Sequence, residues 1–170
     1  MHEVHPAWEA RVADAWASFD RLGEAEFVAL IERLAAEAPP GSGVGLFELA
    51  GAYDATDRTD RAVPLYREAL DRGLPEGRRR QAVIQLASSL RTLGRAGDAV
   101  DLLRAELAAG SDELDGAVRA FLALALVDTG REREAVAMAL TALVPHLPRY
   151  RRSLAGYARL LAGGDAGEER

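Results

Sequence analysis

The chain has 170 residues, 49% of them apolar and 28% charged, which suits one soluble domain with a buried core and is too apolar for a disordered chain. It contains no Cys, Lys or Asn, so it can form no disulfide, thiolate nucleophile, Cys-ligated zinc, lysine Schiff base or lysine-type phosphate loop. A net charge of −6 argues against general nucleic-acid binding, which draws its affinity from neutralising phosphates.

All 21 basic side chains are Arg, and Ala and Gly are abundant, a pattern of codon bias rather than of selection for guanidinium chemistry. The first residues, MHEVHPAWEA, lack the basic region and apolar core of a signal peptide. No apolar run reaches the roughly 18 residues that cross a bilayer. A cytoplasmic protein without membrane contact is expected.

Taken in chain order, residues 1–38 read as a helical pair. Pro6 to Leu22 carries Trp8, Val12, Trp16 and Phe19 at helical spacing, and Glu24 to Ala38 carries Phe27, Leu30, Ile31 and Leu34. A linker at 39–44 follows, inside the breaker APPGSG from Ala38 to Gly43. Residues 45–162 then hold three helix–turn–helix units, near 45–76, 79–112 and 115–148, and a closing helix at 149–162.

The units share two markers. The Ala of the Ala-Val pair that opens each second helix stands at Ala62, Ala99 and Ala135, in steps of 37 and 36; Ala50, Ala87 and Ala123 keep the same steps. In the first unit Leu46, Leu49, Ala50 and Tyr53 precede a polar turn, then Ala62, Val63, Tyr66, Ala69 and Leu70 follow. Gly94 and Gly130 sit where a helix end favours positive φ. Pro64 costs little if its helix begins near Asp60, because the first amides of a helix lack intrahelical partners. Tyr150, Leu154, Tyr157 and Leu161 form one stripe of the closing helix. The tail at 163–170 is small, charged and expected to fray. Nothing alternates with a period of two, so no sheet is expected.

These units resemble the tetratricopeptide repeat, whose pattern is a large residue, Leu-Gly, a Tyr, later an Ala, an aromatic and a closing Pro. The first unit supplies Leu46, Leu49-Ala50, Tyr53, Ala62, Tyr66 and Pro75. The second has Val83, Leu86-Ala87, Leu90, Ala99 and Leu103. The third has Leu122-Ala123, Leu126, Ala135 and Pro148, with Ala139 in place of a large residue. At 36–37 residues each unit exceeds the usual length of about 34 and is similar to a small bacterial family of tetratricopeptide proteins with lengthened units. The resemblance implies an all-α superhelix of stacked antiparallel hairpins, a capping helix, an option of dimerisation and no reaction. The first helical pair is a cap or a degenerate unit.

Stacked hairpins leave a concave wall lined by their first helices, and in this family that groove takes a partner peptide or helix. Its groove positions correspond here to Phe47 and Asp54, to Gln81, Ile84, Gln85, Ser88 and Arg91, and to Phe121 and Asp128. An aromatic at helical spacing is more often packing than recognition, and that reading competes at Phe47 and Phe121. The clamp with which some relatives grip a terminal carboxylate uses Lys, Arg and Asn; this chain has no Lys or Asn, and Gly51 occupies one clamp position.

The stretch AVRAFLALALV, Ala117 to Val127, is apolar almost all round and must be covered on more than one side. Either the closing helix covers it or a second copy does, giving a symmetric dimer. His2 and His5 lack further metal ligands nearby, and His146 between Pro145 and Pro148 reads as a helix-end residue; no metal, cofactor or catalytic residue is expected. Arg78, Arg79 and Arg80, and Arg149, Arg151 and Arg152, stand at helix starts against the dipole, as solvated surface, an ion pair between units or a seat for an acidic segment. A partner-binding module leads, a homodimeric regulatory protein is the alternative, and an enzyme or small-ligand sensor has no motif behind it.

Overall fold

The computed structural model describes residues 5–163, and among these there are nine α-helices and no strand. The helices are α1 (Pro6–Ala17), α2 (Glu24–Ala36), α3 (Val44–Asp54), α4 (Thr59–Arg72), α5 (Glu76–Thr92), α6 (Ala96–Ala109), α7 (Asp115–Asp128), α8 (Glu132–Leu143) and α9 (Arg151–Ala162). Contacts divide the chain into two compact units, one ending at Ser89 and one beginning at Leu90. His2 and most of the tail lie outside the described residues.

In the first unit α1 starts where Pro6 fixes a helical φ and His5 Nδ1 accepts the Ala7 N–H at 3.2 Å. Acidic Glu24 and Glu26 begin α2 and Arg33 ends it, each matched to the helix dipole. Trp8, Val12 and Ala15 of α1 meet Phe27, Val28, Ile31 and Leu34 of α2 and Val44 and Ala52 of α3 in one core. Phe27 packs edge-on against Trp16 and Phe19, with ring centroids 5.0 and 4.8 Å apart. Phe27 and Ile31 are wholly buried, each contributing about 1.5–3 kcal/mol. The Trp8 indole N–H donates to the Leu34 carbonyl at 2.8 Å, so burial leaves it satisfied.

Residues 39–44 lie inside this unit. A Cβ on Gly45 would sit 2.5 Å from the Ala35 carbonyl oxygen, and one on Gly43 2.2 Å from that of Ala69. Glycine therefore sets how closely α3 approaches α2 and α4.

Three turns repeat one geometry. The N–H of Arg58, Arg95 and Arg131 donates to the carbonyl of Tyr53, Leu90 and Leu126 at 2.8, 2.9 and 2.9 Å. The residue before each Arg is left-handed: Asp57 (φ 57°), Gly94 (φ 76°) and Gly130 (φ 73°). These bonds close the preceding helix in the manner of a Schellman motif. All six marker alanines are buried, with Ala123 the most exposed of them at 7%, so the repeat period is a packing period.

In the second unit Ala99, Val100 and Leu103 of α6, Val118, Leu122 and Leu126 of α7, and Ala135 and Ala137 of α8 are buried, with α7 packed between α6 and α8. Two details differ from the sequence expectation. The closing helix begins at Arg151, after Tyr150 in a left-handed conformation, so Tyr150 falls outside the stripe and is 79% exposed; Ala158 is the residue α9 buries. That helix packs on α8, and Leu124 and Val127 of α7 remain about half exposed. Pro64 is the sixth residue of α4, past the four amides that lack partners, so it does remove a helical bond. The carbonyl it leaves belongs to exposed Asp60, which water can satisfy.

Candidate partner-binding site

The first unit opens a cavity of about 480 Å³ lined by Trp16 of α1, by Phe47, Glu48, Gly51, Asp54 and Ala55 of α3 and its end, by Tyr66 of α4, and by Arg78, Gln81 and Gln85 of α5. Phe47, Gly51, Asp54 and Ala55 recur at i, i+4, i+7 and i+8, and Arg78, Gln81 and Gln85 at i, i+3 and i+7, so each helix offers one face. Gly51 keeps the floor open: a Cβ there would lie 3.1 Å from the Trp16 ring. The Phe47 and Tyr66 rings stand 6.2 Å apart.

Charge enters through a buried network. Glu48, 6% exposed, accepts the Trp16 indole N–H at 2.8 Å and an Arg78 N–H at 3.2 Å. Arg78 also donates to Glu9, reaching Oε1 at 2.6 Å, and its guanidinium lies 6.0 Å from the Trp8 ring centroid. Burial pushes the Glu48 carboxyl up, opposed by its bonds to Trp16 and Arg78, while the Arg78 hydrogen bond holds Glu9 below the usual carboxylate range. Hydrogen bonding to Glu9 in turn raises Arg78. Arg78 is thus an ion pair between helices, one of the three roles left open for the basic runs.

Asp54 is also raised by burial, against the hydrogen bonds of Ser89 (3.0 Å) and Thr59. The Tyr66 side chain is fully buried and its hydroxyl has no hydrogen-bond partner. Burial first, then the charges of Asp54 and Glu48, keep that hydroxyl protonated far above neutral pH.

Of the residues assigned to the groove, Phe47, Asp54, Gln81 and Gln85 meet at this cavity. Ile84 is 6% exposed and belongs to the packed side of α5; Ser88 is half-buried. Arg91 and Asp128, in the second unit, pair at 2.9 Å, and Phe121 of that unit is half-buried. Trp16, Glu48, Tyr66 and Arg78 line the cavity without having been singled out for it. The helical register around Gln81 carries a signal for Arg78, three residues before it; Glu48 lies off the Phe47 register, and Trp16 and Tyr66 are indistinguishable from core by spacing. His146 is exposed in a short turn, and among the described residues no cluster of three or more His, Asp or Glu is placed to hold a metal. Among them, too, no helix is long and apolar enough to cross a membrane.

Comparison with known proteins agrees with this architecture. Two similar solved structures are mutants of MamA. A point mutant superposes with a TM-score of 0.58 at 21% identity, covering 79% of this chain and 75% of its own. A double mutant of MamA RS-1 superposes with a TM-score of 0.62 at 14% identity, covering 97% and 100%. No curated protein sequence matches the chain. The family model described as "Tetratrico peptide repeat" matches residues 43–161, about seven-tenths of the sequence and all of the helices from α3 to α9 save one residue. With that match, the buried alanine period and the three copied turns, the chain belongs to the tetratricopeptide repeat family.

Proposed function

We propose that the protein is an interaction module that takes a partner's peptide or helix, with the cavity of the first unit as its anchor point. The observation that carries this is the meeting of Phe47, Asp54, Gln81 and Gln85 at one open cavity beside a buried hydroxyl without a partner. Repeat scaffolds of this family present such residues from rigid helices, which lowers the ordering cost of binding. Arg91, Phe121 and Asp128 of the second unit are proposed as further contacts, and Ser88 and buried Ile84 as supports of the α5 face. The cytoplasm is the proposed compartment, and no catalytic group is proposed.

Selection from a random peptide display on the full chain tests this. Peptides should be enriched whose binding falls about tenfold or more in Phe47→Ala and Gln85→Arg, as loss of an anchor predicts. Enrichment of nothing, or of peptides indifferent to both variants, would overturn it.

A second reading rests on Leu124 (47% exposed), Val127 (49%) and Val136 (48%) in the second unit: a second copy covers them in a symmetric dimer. Light scattering at high concentration decides, since a persistent monomer removes this reading.

A further inference from the structure

We propose that the cavity of the first unit is the seat of a guanidinium, an arginine side chain presented by the partner peptide. This rests on the partner-binding reading above and names the chemistry of its anchor.

Among the described residues that line it, the cavity has acceptors to spare and one cation, Arg78. Arg78 donates to both oxygens of Glu9 and to Glu48, so two carboxylates already match its charge and an incoming carboxylate or phosphate would compete with them. Of the charged residues that line the cavity, Glu48 and Asp54 stand against Arg78 alone, leaving the lining acidic. Asp54 receives Ser89 and Thr59, but a carboxylate has about four lone-pair sites and can accept more. The amide oxygens of exposed Gln81 and Gln85 stand on the α5 wall.

The buried Tyr66 hydroxyl supplies an independent indication. It lines the cavity, lies 3.8 Å from where a Gly51 Cβ would be, and has no partner among protein atoms. An apolar occupant would leave it unmet and would cover the charge of Asp54. An anionic occupant would face Glu48 and Asp54. A guanidinium meets both needs, because its planar fork carries five N–H donors and its faces stack on aromatic rings such as Trp16 and Phe47. A volume of about 480 Å³ holds one long side chain and the flanking backbone.

The test is a nuclear magnetic resonance titration of the full chain, following the Trp16 indole N–H, with four probes: N-acetyl-arginine amide, N-acetyl-lysine amide, agmatine and acetate. Arginine amide should shift that signal saturably, lysine amide more weakly, and acetate not at all. Asp54→Asn, which keeps the shape, and Gln81→Arg, at an exposed site, should each weaken arginine amide by about tenfold or more, with melting no lower than that of the native chain showing both fold. No saturable shift, an equal response to acetate, or indifference to both variants overturns the proposal. Agmatine binding as tightly as a displayed arginine peptide overturns the peptide source. Displayed peptides that lack arginine and survive Gln81→Arg refute the guanidinium seat but leave the partner reading standing. Arginine amide binding with no peptide enriched does the reverse.

Discussion

At Asp57 the backbone takes φ 57°, in the left-handed region that Gly94 and Gly130 fill at the matching points of the next two turns. A side chain there is strained, though Asp tolerates it better than most. Asp57→Gly should therefore raise stability by about 0.5–1 kcal/mol, and Gly94→Ala should lower it by about 1–2 kcal/mol, both read from urea midpoints. Asp54 behaves differently, because its carboxyl is raised by burial. A group raised in the folded state adds stability at low pH, and that stability is lost as pH rises through its folded pKa. Asp54→Asn removes the cost of the buried charge, so its midpoint should gain on the native chain more at pH 7 than at pH 4. Glu9, lowered by Arg78, runs the other way: its contribution is present above the ordinary carboxylate range and is lost on acidification.

Among the elements, α4 and α9 carry the clearest expectations. Pro64 interrupts α4 on its exposed side, so Pro64→Ala should stabilise the protein by up to about 3 kcal/mol, the interior penalty of proline relative to alanine, in thermal unfolding. The closing helix buries Ala158 alone among its residues, so its amides should exchange with solvent before those of α7 in native-state hydrogen exchange. Helix positions from α3 to α8 are legible in the sequence because amphipathic stripes, turn residues and the alanine period agree; the end of α1 is less so, because Phe19 fits its stripe by spacing yet lies in a short 3-10 turn after Ala17. The start of α9 is less so: Tyr150 fits the stripe by spacing, and the left-handed turn that removes it leaves no compositional mark. The same limit hid Tyr66 and Trp16 from the cavity, since spacing cannot tell a ring that packs from one that packs and also lines a hole. Arg78 was visible as a charge at a helix start, but its partner Glu9 lies 69 residues away in sequence and only folding brings them together.

Among the described residues, the most extensively packed helix pairs, α1–α2, α2–α3, α3–α4, α6–α7, α7–α8 and α8–α9, are sequence neighbours. Little loop-closure entropy precedes these neighbour contacts, so refolding after denaturant dilution should finish within about microseconds to milliseconds, as for other helical proteins of low contact order. A seconds-long main phase would contradict it. The copied turns also make the chain divisible. Arg58, Arg95 and Arg131 leave their turns with nearly the same dihedrals, φ/ψ of −101°/48°, −102°/46° and −111°/50°, so a segment cut just before one of them rejoins at another with its backbone already aimed. Duplicating Arg95 to Gly130 in place should yield a longer chain with one added hairpin, making this turn a natural splice point for lengthening or shortening the array.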